Sequence, residues 1–73
     1  MRTLKDLGIG ESGTITKVGT SGALKLRFMD MGITKGTAVK IIKIAPLGDP
    51  IEIEIRGYNL SIRKADAEKI IIE

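Results

Sequence analysis

Ile51-Glu52-Ile53-Glu54-Ile55-Arg56-Gly57-Tyr58-Asn59-Leu60-Ser61-Ile62-Arg63 alternates apolar and polar side chains up to a glycine and takes up the alternation again after it. Successive side chains of a strand point to opposite faces, so Ile51, Ile53 and Ile55 share a buried face while Glu52, Glu54 and Arg56 stay wet. Gly57-Tyr58-Asn59 reads as a tight turn, and Leu60 and Ile62 carry the inward face onto the returning strand. On the N-terminal side, Ala45-Pro46-Leu47-Gly48 is a turn with proline where its fixed φ helps, followed by Asp49-Pro50.

Before that turn, Thr37 to Ala45 reads as a strand whose alternation slips. Val39 and Ile41 point one way, Ile42 and Ile44 the other, which a bulge or burial on both faces explains. Ala23 to Met31 places Leu24, Phe28 and Met31 at i, i+4 and i+7, one face of a short helix with Ser21 or Thr20 as N-cap. Gly32 sits where a left-handed C-cap belongs. Thr14 to Val18 is β-branched enough for a first strand, preceded by the turn-rich Gly8-Ile9-Gly10-Glu11-Ser12-Gly13. At the other end, Lys64 to Lys69 forms one helical turn around Ala65 and Ala67, and Ile70-Ile71-Ile72 is a last short strand. About five short strands, one short helix and no βαβ spacing predict a mainly β fold, a small, strongly bent antiparallel barrel in one domain, residues 1–73.

Composition limits the chemistry. The chain has 73 residues, 42% hydrophobic and 29% charged, with no His and no Cys. No side chain titrates near neutrality to act as general base, and there is no thiolate nucleophile, disulfide or thiolate metal ligand. An enzyme is therefore not expected, and no catalytic residue stands out. Absence of Cys fits a reducing cytosol, no apolar run approaches the roughly 20 residues of a membrane span, and Met1 to Asp6 does not lead into a signal peptide. The expectation is a cytoplasmic protein.

A net charge of +3 and a pI near 9.5 raise nucleic-acid binding. The basic residues are spread along the chain and interrupted by acids, and Phe28 and Tyr58 are the only aromatics, too few for single-strand stacking. Nucleic acid is not the expected partner. Gly8, Gly10 and Gly13 match G-x-G-x-x-G but precede a strand instead of opening a helix, so they read as turn glycines with positive φ. Glu52 and Glu54, about 7 Å apart by strand rise, read as solvated charges that pair with Lys or Arg on a neighbouring strand. Met29 and Met31 fall on different helix faces and read as packing or partner contacts. Arg27 either pairs with Asp30 or offers its planar fork to a partner. No high-affinity metal site and no cofactor are expected.

Leu24-Lys25-Leu26-Arg27-Phe28-Met29-Asp30-Met31-Gly32-Ile33-Thr34-Lys35-Gly36 resembles the helix and turn of FeoA proteins. The resemblance continues in register through Ala45-Pro46-Leu47-Gly48-Asp49-Pro50, Arg56-Gly57-Tyr58-Asn59-Leu60-Ser61-Ile62-Arg63 and Ala67-Glu68-Lys69-Ile70, and it includes Leu4-Lys5-Asp6-Leu7 and Gly13-Thr14-Ile15. It covers essentially the whole chain. It implies an SH3-like barrel of about five strands with a helix inserted after the first, and a non-enzymatic cytoplasmic accessory of bacterial ferrous iron uptake. The implied partner is the membrane transporter FeoB, whose cytosolic part is a GTPase domain, and the chain would meet the membrane only through it. Leu24, Arg27, Met29, Met31 and Lys35 are the expected partner-binding residues. A peptide-binding regulatory barrel, as at the C-terminus of iron-dependent repressors, and a small nucleic-acid-binding barrel remain alternatives; weak self-association is left open.

Overall fold

The computed structural model describes residues 2–73. In chain order these form β1 (Arg2–Thr3), a 3-10 turn (Leu4–Asp6), β2 (Ser12–Val18), α1 (Gly22–Asp30), β3 (Ala38–Ile44), β4 (Ile51–Ile55), β5 (Tyr58–Ile62), α2 (Lys64–Ala67) and β6 (Ile70–Ile72). The six strands make one sheet in the order β1-β6-β2-β3-β4-β5, antiparallel throughout. The mainly β architecture with one short inserted helix follows the sequence pattern. The strand the pattern misses is β1, whose two residues pair with Ile72 and Ile71. Two residues show no periodicity, so the helix follows the second strand and not the first.

The core is almost wholly aliphatic. Ile51, Ile53 and Ile55 of β4 face Val39 and Ile41 of β3, Ile15 of β2, Ile70 and Ile72 of β6, with Phe28 from α1 and Ile33 just after it. The slip in β3 is a bulge: the register with β4 shifts between Ile41 and Lys43, leaving Ile42 as the extra residue. β2 carries a second irregularity between Ile15 and Lys17 where it pairs with β6. Bulges increase local twist and bend a sheet.

Two local expectations are corrected. The hairpin turn is Arg56–Gly57, with Ile55 opposite Tyr58, so Tyr58 and Asn59 belong to β5. Both turn residues have positive φ, 52° for Arg56 and 84° for Gly57, as a two-residue turn matched to strand twist requires. Among Gly8, Gly10 and Gly13 only Gly10 has positive φ; Gly13 is a strand residue, and a Cβ there would lie 3.2 Å from the Ile72 side chain. The N-cap is Ser21, one of the two residues expected there, with extended backbone, although its hydroxyl makes no cap hydrogen bond.

The charged face is looser than its register implies. Lys40 stands opposite Glu54 and Lys43 opposite Glu52, yet the one ion pair among the described residues is Lys5–Glu68 at 3.6 Å. Arg27 and Asp30 therefore do not pair. Asp6 does have a defined role: its carboxylate accepts the Thr3 backbone N–H at 2.8 Å, fixing the start of the 3-10 turn.

Phe28→Ala removes the largest core side chain and should cost about 3–5 kcal/mol, a loss large enough to unfold a domain of this size and visible in urea denaturation. The hydrogen bond from the Thr3 N–H holds the Asp6 carboxyl below its ordinary pKa; desolvation opposes it, and the Thr3 hydroxyl and nearby Lys5 add smaller lowering effects. A depressed folded-state pKa stabilises above the ordinary carboxylate range, and that contribution is lost as pH falls through the folded value. Thermal melts in acid should therefore show a shallower decline for Asp6→Asn than for the parent.

Candidate functional site

The helix α1 is held by its C-terminal end. Gly32, at φ 86°, reverses the chain in the left-handed conformation that a Cβ disfavours. The Ile33 N–H then donates to the Phe28 carbonyl at 2.8 Å and the Gly32 N–H to the Met29 carbonyl at 3.0 Å. This pair of bonds is the Schellman closure, and its usual apolar contact is present because Phe28 and Ile33 are both buried in the core. The chain continues into a tight turn in which Thr37 N–H donates to Thr34 O. That turn is sewn to β2, with Gly36 N–H donating to Ile15 O at 2.7 Å and Ile15 N–H to Thr37 O at 2.9 Å.

The β4–β5 hairpin forms a second latch on the same segment. The Tyr58 hydroxyl donates to the Met31 carbonyl, an acceptor left over at the helix end. Arg56 reaches the hydroxyls of Thr37 at 3.3 Å and Thr34 at 3.5 Å, and those two hydroxyls lie 3.0 Å apart. Gly32 is needed here for space as well as for φ, since a Cβ would sit 3.2 Å from the Arg56 side chain.

Between α1 and β2 this leaves an open groove of about 400 Å³. β2 contributes Thr16, Lys17 and Val18, α1 contributes Lys25 and Met29, and the following turn contributes Ile33, Thr34 and Lys35. Of the residues expected to meet a partner, Met29 and Lys35 come together at the groove. Arg27 is exposed on the helix without lining it. Leu24 and Met31 are half-buried and pack against the core, so each offers only part of its side chain outward. The sequence pattern did not point to Lys17, Val18, Lys25 or Thr34. Lys25 lies four residues before Met29, on the same helix face, and could have been found; Lys17 and Val18 join only through the docking of α1 on β2.

α1 also exposes Leu26 (62%) and Met29 (49%), more apolar surface than an isolated surface residue accounts for. Among the described residues no three Asp or Glu side chains gather as a cation site would need, and no helix is long and apolar enough to cross a membrane.

Comparisons place this geometry among known proteins. A family model described as the FeoA domain matches residues 2–73. An Fe(2+) transport protein A/Fe(2+) transporter FeoB fusion protein of Porphyromonas gingivalis is 36% identical over 70 residues; the match takes in 96% of this chain but only 8% of the fusion protein. The solution structure of a FeoA protein from Chlorobium tepidum, 37% identical, superposes with a TM-score of 0.90 over 97% of this chain and 68% of that one. A zinc-complexed FeoA from Stenotrophomonas maltophilia, described as a procaryotic SH3 domain protein, shares the fold at a TM-score of 0.87 with 21% identity, over 100% of this chain and 91% of its own. The fold is thus SH3-like.

Tyr58→Phe removes the bond to Met31 and should destabilise by about 1 kcal/mol, with faster hydrogen exchange at the Ile33 amide than at amides of β4. Gly32→Ala should cost roughly 1–2 kcal/mol from the left-handed backbone alone, and more from the approach to Arg56. Equal exchange rates at Ile33 in parent and Tyr58→Phe would show that the hairpin does not hold the helix end.

Proposed function

The chain belongs to the FeoA domain family, which is associated with ferrous iron transport, and on that premise we propose that it is a cytoplasmic, non-enzymatic accessory of bacterial ferrous iron uptake that acts by contact with the FeoB transporter and its GTPase domain. The observation that carries the proposal is the relative in which the matching segment is joined to FeoB in one protein. Fusion raises the effective concentration of one module at the other, an arrangement of use to two modules that work in contact. In a separate chain the same contact has to come from affinity, hence from a face with exposed apolar surface and charge.

The face around α1 has both. Residues 1–73 act as one FeoA-type domain, with Met29 and Lys35 in direct contact with the partner, Arg27 beside them on the exposed helix, and Leu24 and Met31 supporting the face from beneath. A chain without His or Cys has little to offer as a catalyst, but binding alone shifts a conformational equilibrium if one state of the GTPase domain is bound better than the other.

NMR titration of isotopically labelled protein with the purified GTPase domain, with and without nucleotide, tests this. Shifts localised to residues 23–36 and to Thr16–Val18 across the groove are expected. Arg27→Glu or Met29→Asp should each weaken binding about tenfold, equivalent to about 1.4 kcal/mol, with an unchanged fold by circular dichroism. Absence of shifts at saturating domain concentration, or unchanged affinity in both variants, would refute the assignment of this face.

A further inference from the structure

Three consecutive residues of β2, Thr16, Lys17 and Val18, line the groove. A strand sends alternate side chains to opposite faces, so a cavity touched by all three follows the edge of the strand and not one face. The pairing explains why an edge is open in the middle of a sheet. β2 pairs with β3 only over Ser12–Thr14, and Ile15 closes against Gly36 and Thr37. From there to Val18, β6 lies on one side and no strand on the other.

The charge around this edge is one-sided. Lys17, Lys25 and Lys35 surround it and no carboxylate lines it. The one ion pair among the described residues involves none of the three. Three of the chain's twelve Lys and Arg residues thus gather around one groove. Its apolar surface comes from Val18 and Met29, with the buried Ile33 beneath them.

We propose that the groove takes an extended acidic segment of the partner, added as a strand along Thr16–Val18. The inference rests on the proposed transporter contact and names the chemistry of the segment that makes it: carboxylates toward the three lysines, alternating with apolar side chains against Val18 and Met29. In strand addition the main chain supplies affinity and alternate side chains supply specificity. The same lysines reject a second copy of this chain, which would bring its own positive charges to the edge; charge is a common guard on an open edge. Nucleic acid is a poorer fit because no aromatic lines the groove for a base to stack on.

The test uses the full chain and a short fluorescein-labelled peptide of alternating Glu and Val. Fluorescence anisotropy should show saturable binding, weakened about fivefold or more by Lys25→Glu or Lys35→Glu, which reverse a charge at the groove rim. Binding should slow exchange of the Lys17 and Val18 amides. The same peptide N-methylated at alternate residues keeps its charge and should not bind. Equal binding of a Lys-Val peptide or of the N-methylated peptide would overturn the inference, as would displacement by a thymidine oligonucleotide at lower concentration than by unlabelled peptide. The two readings separate through the GTPase domain. If it binds Lys25→Glu and Lys35→Glu as well as the parent, the groove inference fails and the accessory role stands; if it does not bind the parent while the peptide does, the transporter is removed as the source of the segment.

Discussion

The bond from the Ile33 N–H to the Phe28 carbonyl fixes more of this molecule than any other single contact. It closes a short helix that has no side-chain N-cap and whose stability must therefore come from its C-terminal end and its packing. Phe28 and Ile33, one on each side of the bond, are both buried in the core, so the helix end and the sheet interior are ordered together. The path from Ile33 to Thr37 then meets β2 at Ile15, which determines where β3 begins. Loosening that closure would free α1, the turn and one side of the groove at once.

A sheet that pairs β2 with β3 over only half of β2 leaves an unpaired edge, which in most proteins is an aggregation hazard. Here the chain from Gly22 to Gly36 crosses in front of that edge and covers it only in part. The Arg56 and Tyr58 side chains of the β4–β5 hairpin anchor the end of the crossing segment. The proposed partner contact would thus combine a strand edge on one side with a doubly latched helix on the other, a largely preformed surface.

Much of this was legible in the residues, and the reasons differ by element. β4 was readable because strict alternation over Ile51–Ile55 has no helical counterpart, and α1 because apolar spacing and Gly32 agree on where it ends. The β3 bulge showed as a slip in phase. The two-residue β1 left no pattern to detect. The hairpin turn was displaced by one residue because Arg56 adopts a positive φ, which ordinary side chains rarely do. Of the candidate contact residues, Met29 and Lys35 meet at the groove, whereas Leu24 and Met31 turn inward because the apolar stripe that marks a helix face as interesting is the stripe the core takes up. Lys17 and Val18 were invisible from sequence, since their place beside α1 exists only after the helix has docked.

The central claim is that the surface between α1 and β2 is what the transporter's cytosolic domain touches. Intermolecular nuclear Overhauser effects between the unlabelled GTPase domain and methyl-labelled protein test it most directly. Contacts to the methyl groups of Met29 and Val18 are predicted, and none to Leu47, the apolar side chain that is 93% exposed in the loop between β3 and β4. Contacts to Leu47 or Ile9 with none to Met29 and Val18 would contradict it.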